Sequence, residues 1–434
     1  MGLGGEIVAN GSSTSPATST SGATTKPMWT VMVYMGADGV EGNKELAEEA
    51  RADIKEMQGV TPSDNLNILV ELHGAGVPKR HYIVGKGTWQ EEHVGASNPS
   101  DFANGIALLD FIGWALKKAN HKPNDPHHYS MLVLWGHAYR FAIGHTETLA
   151  GIDALDFAEL AAVLAVFQER VRHQYSLKEP PKLDIVAFDA CDLATIEMAC
   201  QLAPYAGYLL SSQIGIPLPG WPYGRVLERL AEPKDRLMGP AEFGSWTVRR
   251  YCEFYRPFEQ VVSLSHLDLS YARALSQLTD RLARALAIAM DDDPDELALV
   301  SRVFESSQTA EGAPFVDVVT LCRLLMRFSG SDPVRAAAKA LGDALFGPRS
   351  VPGGQNAVGV PKSQTGECKP FVVEHGSNSS EGAGLHGVSL YAPHVAPGHD
   401  FGAASHFYEK FVFVRDTLWR DLVRALALPD HVCC

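Results

Sequence analysis

Short, strongly apolar runs alternate along this chain with stretches of helical period, and that alternation narrows the fold more than any other feature. "WTVMVYMGAD" (29–38), "LNILVELHG" (66–74), "HYSMLVLWGHA" (128–138) and "KLDIVAFDAC" (182–191) carry apolar residues at both odd and even positions, the pattern of strands buried on both faces. Between them, "NKELAEEARADIKEMQ" places Leu46, Ala50 and Ile54 on one helical stripe, "SDFANGIALLDFIGWALKKA" (100–119) starts at an N-cap at Ser100 or Asp101, and "DFAELAAVLAVFQERV" (156–171) is a third helix. Strands that alternate with helices imply an α/β chain with a mainly parallel sheet covered on both faces. "HYIVGKGTW" (81–89) reads as a hairpin partner of the second strand, and "YLLSSQIGIP" (208–217) as one more apolar strand.

The remaining organisation follows from composition. Residues 1–27, rich in Gly, Ser, Thr and Ala, bury too little apolar surface to order themselves and read as a disordered tail. The α/β core is expected over 28–230. Residues 231–434 read as a mixed C-terminal subdomain, mostly helical, with strand-like pieces at "QVVSLSHLDL" (260–269), "PFVVE" (370–374) and "HGVSLYAP" (386–393) that complete the sheet, and flexible insertions at 347–369 and 376–384. With 46% hydrophobic residues over 434 positions the chain can bury a sizeable core. A formal net charge of −14 argues against nucleic acid or an anionic membrane as partner, because the basic footprint is missing. The seven cysteines are odd in number and scattered without metal-ligand spacing, so neither a zinc site nor a disulfide framework is favoured. The first residues lack a basic start followed by an apolar stretch, so a cytoplasmic location is the expectation.

In open parallel sheets chemistry gathers at the carboxyl ends of strands. Three polar elements are expected there: Asp38, His137, and Asp189 with Cys191. A thiol needs a base or cation beside it to raise its thiolate fraction, and His137 is the candidate on the same rim. Backbone N–H groups of Cys191, at an expected helix start, and of Ala138 are the natural donors to an oxyanion. Each residue also has a duller reading. A lone Cys at such a junction is more often a small buried hydrophobe, a lone His more often a hydrogen-bonded structural residue, and Asp189 could cap the following helix. Their joint occurrence on strand ends is what points to a site. His73, which unlike His137 is followed by glycine, is the rival base, set aside because its strand should lie farther along the sheet. "VGKGTW" is no phosphate loop: Arg80 occupies the position of the first glycine, and no Ser or Thr follows Lys86.

"LWGHA", "GID…DFAEL" and "KLDIVAFDACDLATIEMACQLAPYAGYLLSSQ…PGWPY", with "VSLSHLDLS", "GVSLYAPH" and "FVFVRDTLWRDLV" farther on, resemble the clostripain-like cysteine peptidases, family C11. The resemblance implies a caspase-like α/β/α sandwich and a cysteine endopeptidase with a Cys191–His137 dyad. It implies a P1 pocket lined by Asp189, with Ser212 and Gln213 beside it, cleavage after Arg or Lys, and protein or peptide substrates. No cofactor is implied; calcium enters only through the likeness, and so does any regulatory partner. Ala138 stands where the family has glycine, a strained or oxyanion-distorting choice if that position needs φ > 0, and Gln213 where relatives often carry an acid. The alternatives are a binding scaffold on the same fold and a thiol peptidase with a non-basic P1 preference. Self-cleavage, where it occurs, is expected within 170–182, a polar stretch with four basic residues and a Pro-Pro pair.

Overall fold

The computed structural model describes residues 28–37, 44–74, 78–95, 101–123, 125–139, 141–148, 151–232, 237–310, 313–346, 371–378, 384–395 and 406–427. The N-terminal tail, Asp38, the insertion at 347–369 and most of that at 376–384 lie outside the described residues.

Among the described residues, five parallel strands form the centre of one nine-stranded sheet. These are β1 (Met28–Gly36), β2 (Leu66–His73), β5 (His128–Trp135), β9 (Leu183–Asp189) and β10 (Ala206–Ser211), in the order β2-β1-β5-β9-β10. Antiparallel strands extend both margins: β3 (Lys79–Val84) and β4 (Gln90–His93) beyond β2, and β11 (Ser263–Asp268) and β13 (Val372–Ser377) beyond β10. The hairpin expected after the second strand is thus present, and residues beyond 230 supply two strands to the same sheet.

The apolar runs divide residue by residue between two cores. Met32, Tyr34, Leu132, Leu134, Val186 and Phe188 pack on one face, while Val31, Val33, Met131, Val133, Ile185 and Ala187 pack on the other. Period-2 geometry sends neighbours to opposite faces, so a strand apolar at every position needs helices on both sides. The helices Gly105–Lys118, Phe157–Gln174, Ile196–Leu202 and Ala272–Asp292 cover the first face; Lys44–Gln58, Tyr223–Ala231 and Pro240–Tyr255 cover the second. The result is the expected three-layer α/β/α sandwich.

Several boundaries differ from the sequence reading, and three of the differences shape the site. The strand expected over 128–138 stops at Trp135, where Gly136 takes φ +144° and a Cβ would lie 2.9 Å from the Gly36 carbonyl oxygen. Only glycine fits there. The chain then resumes in a small antiparallel sheet of β6 (Ala138–Tyr139), β7 (Ala142–Thr148) and β8 (Gly151–Asp156), which sequence patterning did not reveal. The strand expected over 208–217 ends at Ser211, and the residues after it fold back over Cys191. The helix after Cys191 starts only at Ile196, with Thr195 as its N-cap accepting the Met198 N–H at 3.1 Å.

Candidate active site

β5 and β9 are neighbours, paired in register so that Trp135 stands opposite Asp189. The Gly136 N–H donates to the Asp189 carbonyl at 3.3 Å, tying the two strand ends together. One cleft at this rim is lined by Trp135, His137, Asp189, Cys191, Ile216 and Gly220. His137 and Cys191, distant in sequence, therefore face the same space. His137 is exposed and Cys191 half-buried. His73 has a different task. Fully buried on β2, two strands beyond β5, it bonds through Nε2 to the Glu71 carboxylate at 2.9 Å, and its ring packs against Tyr34 and Phe102. Glu71 also accepts from Arg80 Nε at 2.6 Å, so His73 belongs to a buried structural network.

Asp189 is 4% exposed, on the face that also carries Ile185, Ala187 and Trp135. Its Oδ2 accepts the Trp221 N–H and the Tyr223 hydroxyl, both at 3.0 Å, while Oδ1 is buried with no hydrogen-bond partner among the described residues. Burial pushes its pKa up to about 7, well above the ordinary carboxylate range, against the opposing pull of those two donors. Gly220, at φ +65°, passes so close that a Cβ would lie 2.8 Å from Oδ2. Asp189 does not cap the helix, because five residues separate it from the Thr195 N-cap and its carboxylate turns to the 220–223 loop.

Cys191 sits in a turn, not at a helix start, which corrects the expectation that a helix terminus supports its N–H. Asp192, directly after it, takes φ +61°. The Ile216 N–H donates to Cys191 Sγ at 3.3 Å, the Asp192 N–H to the Ile214 carbonyl at 3.3 Å, and the Ala194 N–H to the Ser212 carbonyl at 2.8 Å. The 212–216 segment thus lies along 191–194 like a strap. Burial pushes the Cys191 thiol up, the Ile216 N–H opposes this, and Asp192 and Asp189 add to the rise. The cleft is small, with about 40 Å³ open to the centres of water molecules, space for a few waters. Cys200 is no rival: its thiol donates to the Ala272 carbonyl at 3.4 Å and is driven far up by burial.

Three expectations need correction. Ser212 and Gln213 do not reach the cleft. Ser212 is fully buried and bonds to Ile214 and Ser263, while the Gln213 amide, 1% exposed, donates to Asp317 at 3.0 Å and Ser389 at 2.9 Å and accepts the Gly387 N–H. Gln213 ties the C-terminal segments to the sheet. Ala138 is not among the residues at positive φ; the glycine-demanding position is Gly136, on the other side of the histidine. The stretch 170–182 is not a rim loop. Arg170 and Arg172 lie inside the helix Phe157–Gln174, and the rest enters β9 at its opposite end. At about 3.3 Å per residue that end is roughly 25 Å from Cys191, so the molecule cannot cut itself there in cis.

Sequence reasoning missed Trp221, Tyr223 and Gly220, which hold Asp189 in place; the "GWPY" block was the available signal. It also missed the 212–216 strap, which was read as strand. Among the described residues no group of three or more His, Cys, Asp or Glu is placed to hold a metal ion, and no helix is long and apolar enough to cross a membrane.

The model of the clostripain family, Peptidase C11, matches residues 33–339. Among solved structures, a secreted C11 cysteine protease from Bacteroides thetaiotaomicron, in complex with an irreversible peptide inhibitor, is similar at TM-score 0.58 and 18% identity, over 91% of this chain and 99% of that one. An inactive zymogen C11 protease from Parabacteroides distasonis is similar at TM-score 0.56 and 16% identity, over 91% and 99%. A further secreted C11 protease from Bacteroides thetaiotaomicron is similar at 0.54 and 14%, over 90% and 99%. No curated protein matches. Identities this low speak to the fold alone, and two of these proteins are described as secreted. The family match spans the strands that carry His137, Asp189 and Cys191, and on it this chain belongs to the clostripain family and is a cysteine-type endopeptidase.

Proposed function

We propose that this peptidase cleaves after Arg or Lys, with Cys191 as nucleophile and His137 as its base. The observation that carries the P1 preference is the Asp189 Oδ1 atom: a buried carboxylate oxygen with no hydrogen-bond partner, on a residue that lines the cleft beside the thiol. A buried acceptor without a donor is costly, and a guanidinium or ammonium group supplies both the donor and the opposite charge. Trp221 and Tyr223 hold Oδ2 and so aim Oδ1 at the incoming group.

In the proposed reaction the P1 side chain enters along Asp189 and displaces Ile216, at the end of the strap, with Pro217 and Leu218 after it, which frees Sγ from the Ile216 N–H. His137 accepts the thiol proton as Sγ attacks the carbonyl carbon of the scissile bond. The backbone N–H groups of Cys191 and Ala138 stabilise the oxyanion, a step of the type that is worth about 10²–10³ in rate per donor. The C–N bond then breaks, the amine leaves with the proton held by His137, and water, deprotonated by the same imidazole, hydrolyses the thioester.

The test uses two peptidyl chloromethyl ketones that differ only in an Arg or Leu at the terminal position. The Arg probe should alkylate Cys191 at least about 100-fold faster, the scale expected for one charge-assisted buried contact, and Cys191→Ala should neither be labelled nor cleave peptides. Equal rates for the two probes would end the basic-P1 reading, and labelling at another cysteine would end the assignment of the nucleophile.

A further inference from the structure

A second carboxylate lies behind the pocket wall. Asp53, on the helix Lys44–Gln58, is only 2% exposed, and its Oδ2 accepts the Trp135 indole N–H at 2.8 Å. Trp135 stands opposite Asp189 in the β5–β9 register, both side chains belong to the same face of the sheet, and both line the cleft. Tyr223 joins the two acids from the other side: its hydroxyl donates to Asp189, and the charges of both Asp189 and Asp53 bear on it.

The groups facing this pair are acidic, phenolic or neutral. Glu49 and Glu56 act on Asp53 from its own helix, while Tyr223, Tyr251, Tyr255 and Cys191 surround Asp189, with His137 at the cleft mouth. Arg51 and Lys55, on the Asp53 helix, are exposed. Among the described residues neither Asp53 nor Asp189 forms an ion pair with a Lys, Arg or His. Two neighbouring buried carboxylates without a cation do not both ionise near neutral pH; they titrate as a unit and retain a proton. Burial and the charge of Asp189 accordingly raise Asp53 far above the usual aspartate range.

We propose that Asp53 is a second specificity-determining acid of the P1 pocket: Asp53 and Asp189 retain a shared proton while the pocket is empty, and entry of a guanidinium or ammonium side chain expels it to solvent. The proposal rests on the basic-P1 reading and deepens it. Asp53 acts through the field it adds behind Asp189, so recognition of a basic residue is linked to proton release. At pH 8 an isolated Asp189 would already be ionised and would have no proton to give; only the pair has one.

The test is calorimetric titration of the full chain with agmatine, a guanidinium probe, between pH 6 and 9 in two buffers of different ionisation enthalpy. The wild type should release close to one proton at pH 8, and its Kd should fall by about ten-fold per pH unit from pH 7 to 8, as one-proton linkage requires. Asp53→Asn keeps an acceptor for Trp135; its proton release at pH 8 should be near zero and its Kd flat within about two-fold. Agmatine binding to the wild type without proton release at pH 8 overturns the proposal and leaves the basic-P1 reading standing, as does equal release from wild type and Asp53→Asn. Failure of agmatine to bind overturns both. If Asp53→Asn does not fold, the wild-type proton count alone decides.

Discussion

Asp189→Asn separates the two consequences of a buried, half-partnered carboxylate. The amide oxygen of the asparagine can take the place of Oδ2 and keep both the Trp221 N–H and the Tyr223 hydroxyl, each at 3.0 Å. The amide nitrogen then occupies the Oδ1 position, so the pocket wall changes from acceptor to donor and repels a guanidinium. Removing one partner of a buried ion pair costs about 3–5 kcal/mol, which corresponds to about 10² to several times 10³ in kcat/KM on Arg substrates. Neutral P1 residues should change by no more than a few-fold. Stability should move the other way. The folded-state pKa of Asp189 is raised to about 7 by burial, so its contribution to stability is present at low pH and is lost as pH rises through the raised value. Asparagine has no such loss, and its advantage should grow by up to about 1.4 kcal/mol per pH unit through that window. The assays are kcat/KM on paired Arg and Leu peptides at pH 8, and thermal melts at pH 4 and pH 8. A fall of less than about ten-fold in the Arg/Leu ratio, outside the range set by the ion-pair cost, or a variant that melts below wild type at pH 8, refutes the reasoning.

His137→Ala should lower kcat/KM by about 10²–10⁴ with little change in melting temperature, the scale of general acid–base help. His73→Ala should leave kcat/KM within a few-fold and reduce stability by about 1–3 kcal/mol, because it strips a buried partner from Glu71; the reverse ranking in paired kinetics and melts would move the base to β2. Glu197, wholly buried and pushed up to about 7 by burial, accepts from the Tyr391 N–H and the Tyr408 hydroxyl through Oε1 while Oε2 has no partner. Its stabilising contribution is present below about pH 4 and lost as pH rises through about 7, so Glu197→Gln should gain on wild type by about 3 kcal/mol between pH 4 and pH 8. Urea unfolding at the two pH values measures the difference, and a pH-independent gap contradicts it.

The layered fold was legible because strand burial writes itself into composition. Runs such as "VMVYM" and "DIVAF" are apolar at both parities, and only a sheet with two covered faces accepts them. His137 and Cys191 were legible because both follow such runs, and strand ends in a parallel sheet share one rim. The small β6–β7–β8 sheet was not legible, because its strands carry no sustained apolar alternation. The strap over Cys191 was misread because "SSQIGIP" is apolar enough to continue a strand, and nothing local marks the turn that carries it across the thiol.

The sequence by itself determined the alternation of the main strands and helices, which faces they bury, and that His137 and Cys191 both follow strands of one parallel sheet. These are properties of local pattern and of the few ways a chain can stack a parallel sheet. The tertiary structure alone decided that Gln213 is a buried tie to the C-terminal segments, that Gly136 rather than residue 138 is the glycine-demanding position, and that Asp189 is held by Trp221 and Tyr223 with one oxygen left over. It alone set Asp53 behind Trp135. Each of these depends on contacts between residues tens to hundreds of positions apart, whose burial and charge exist only once the layers have closed.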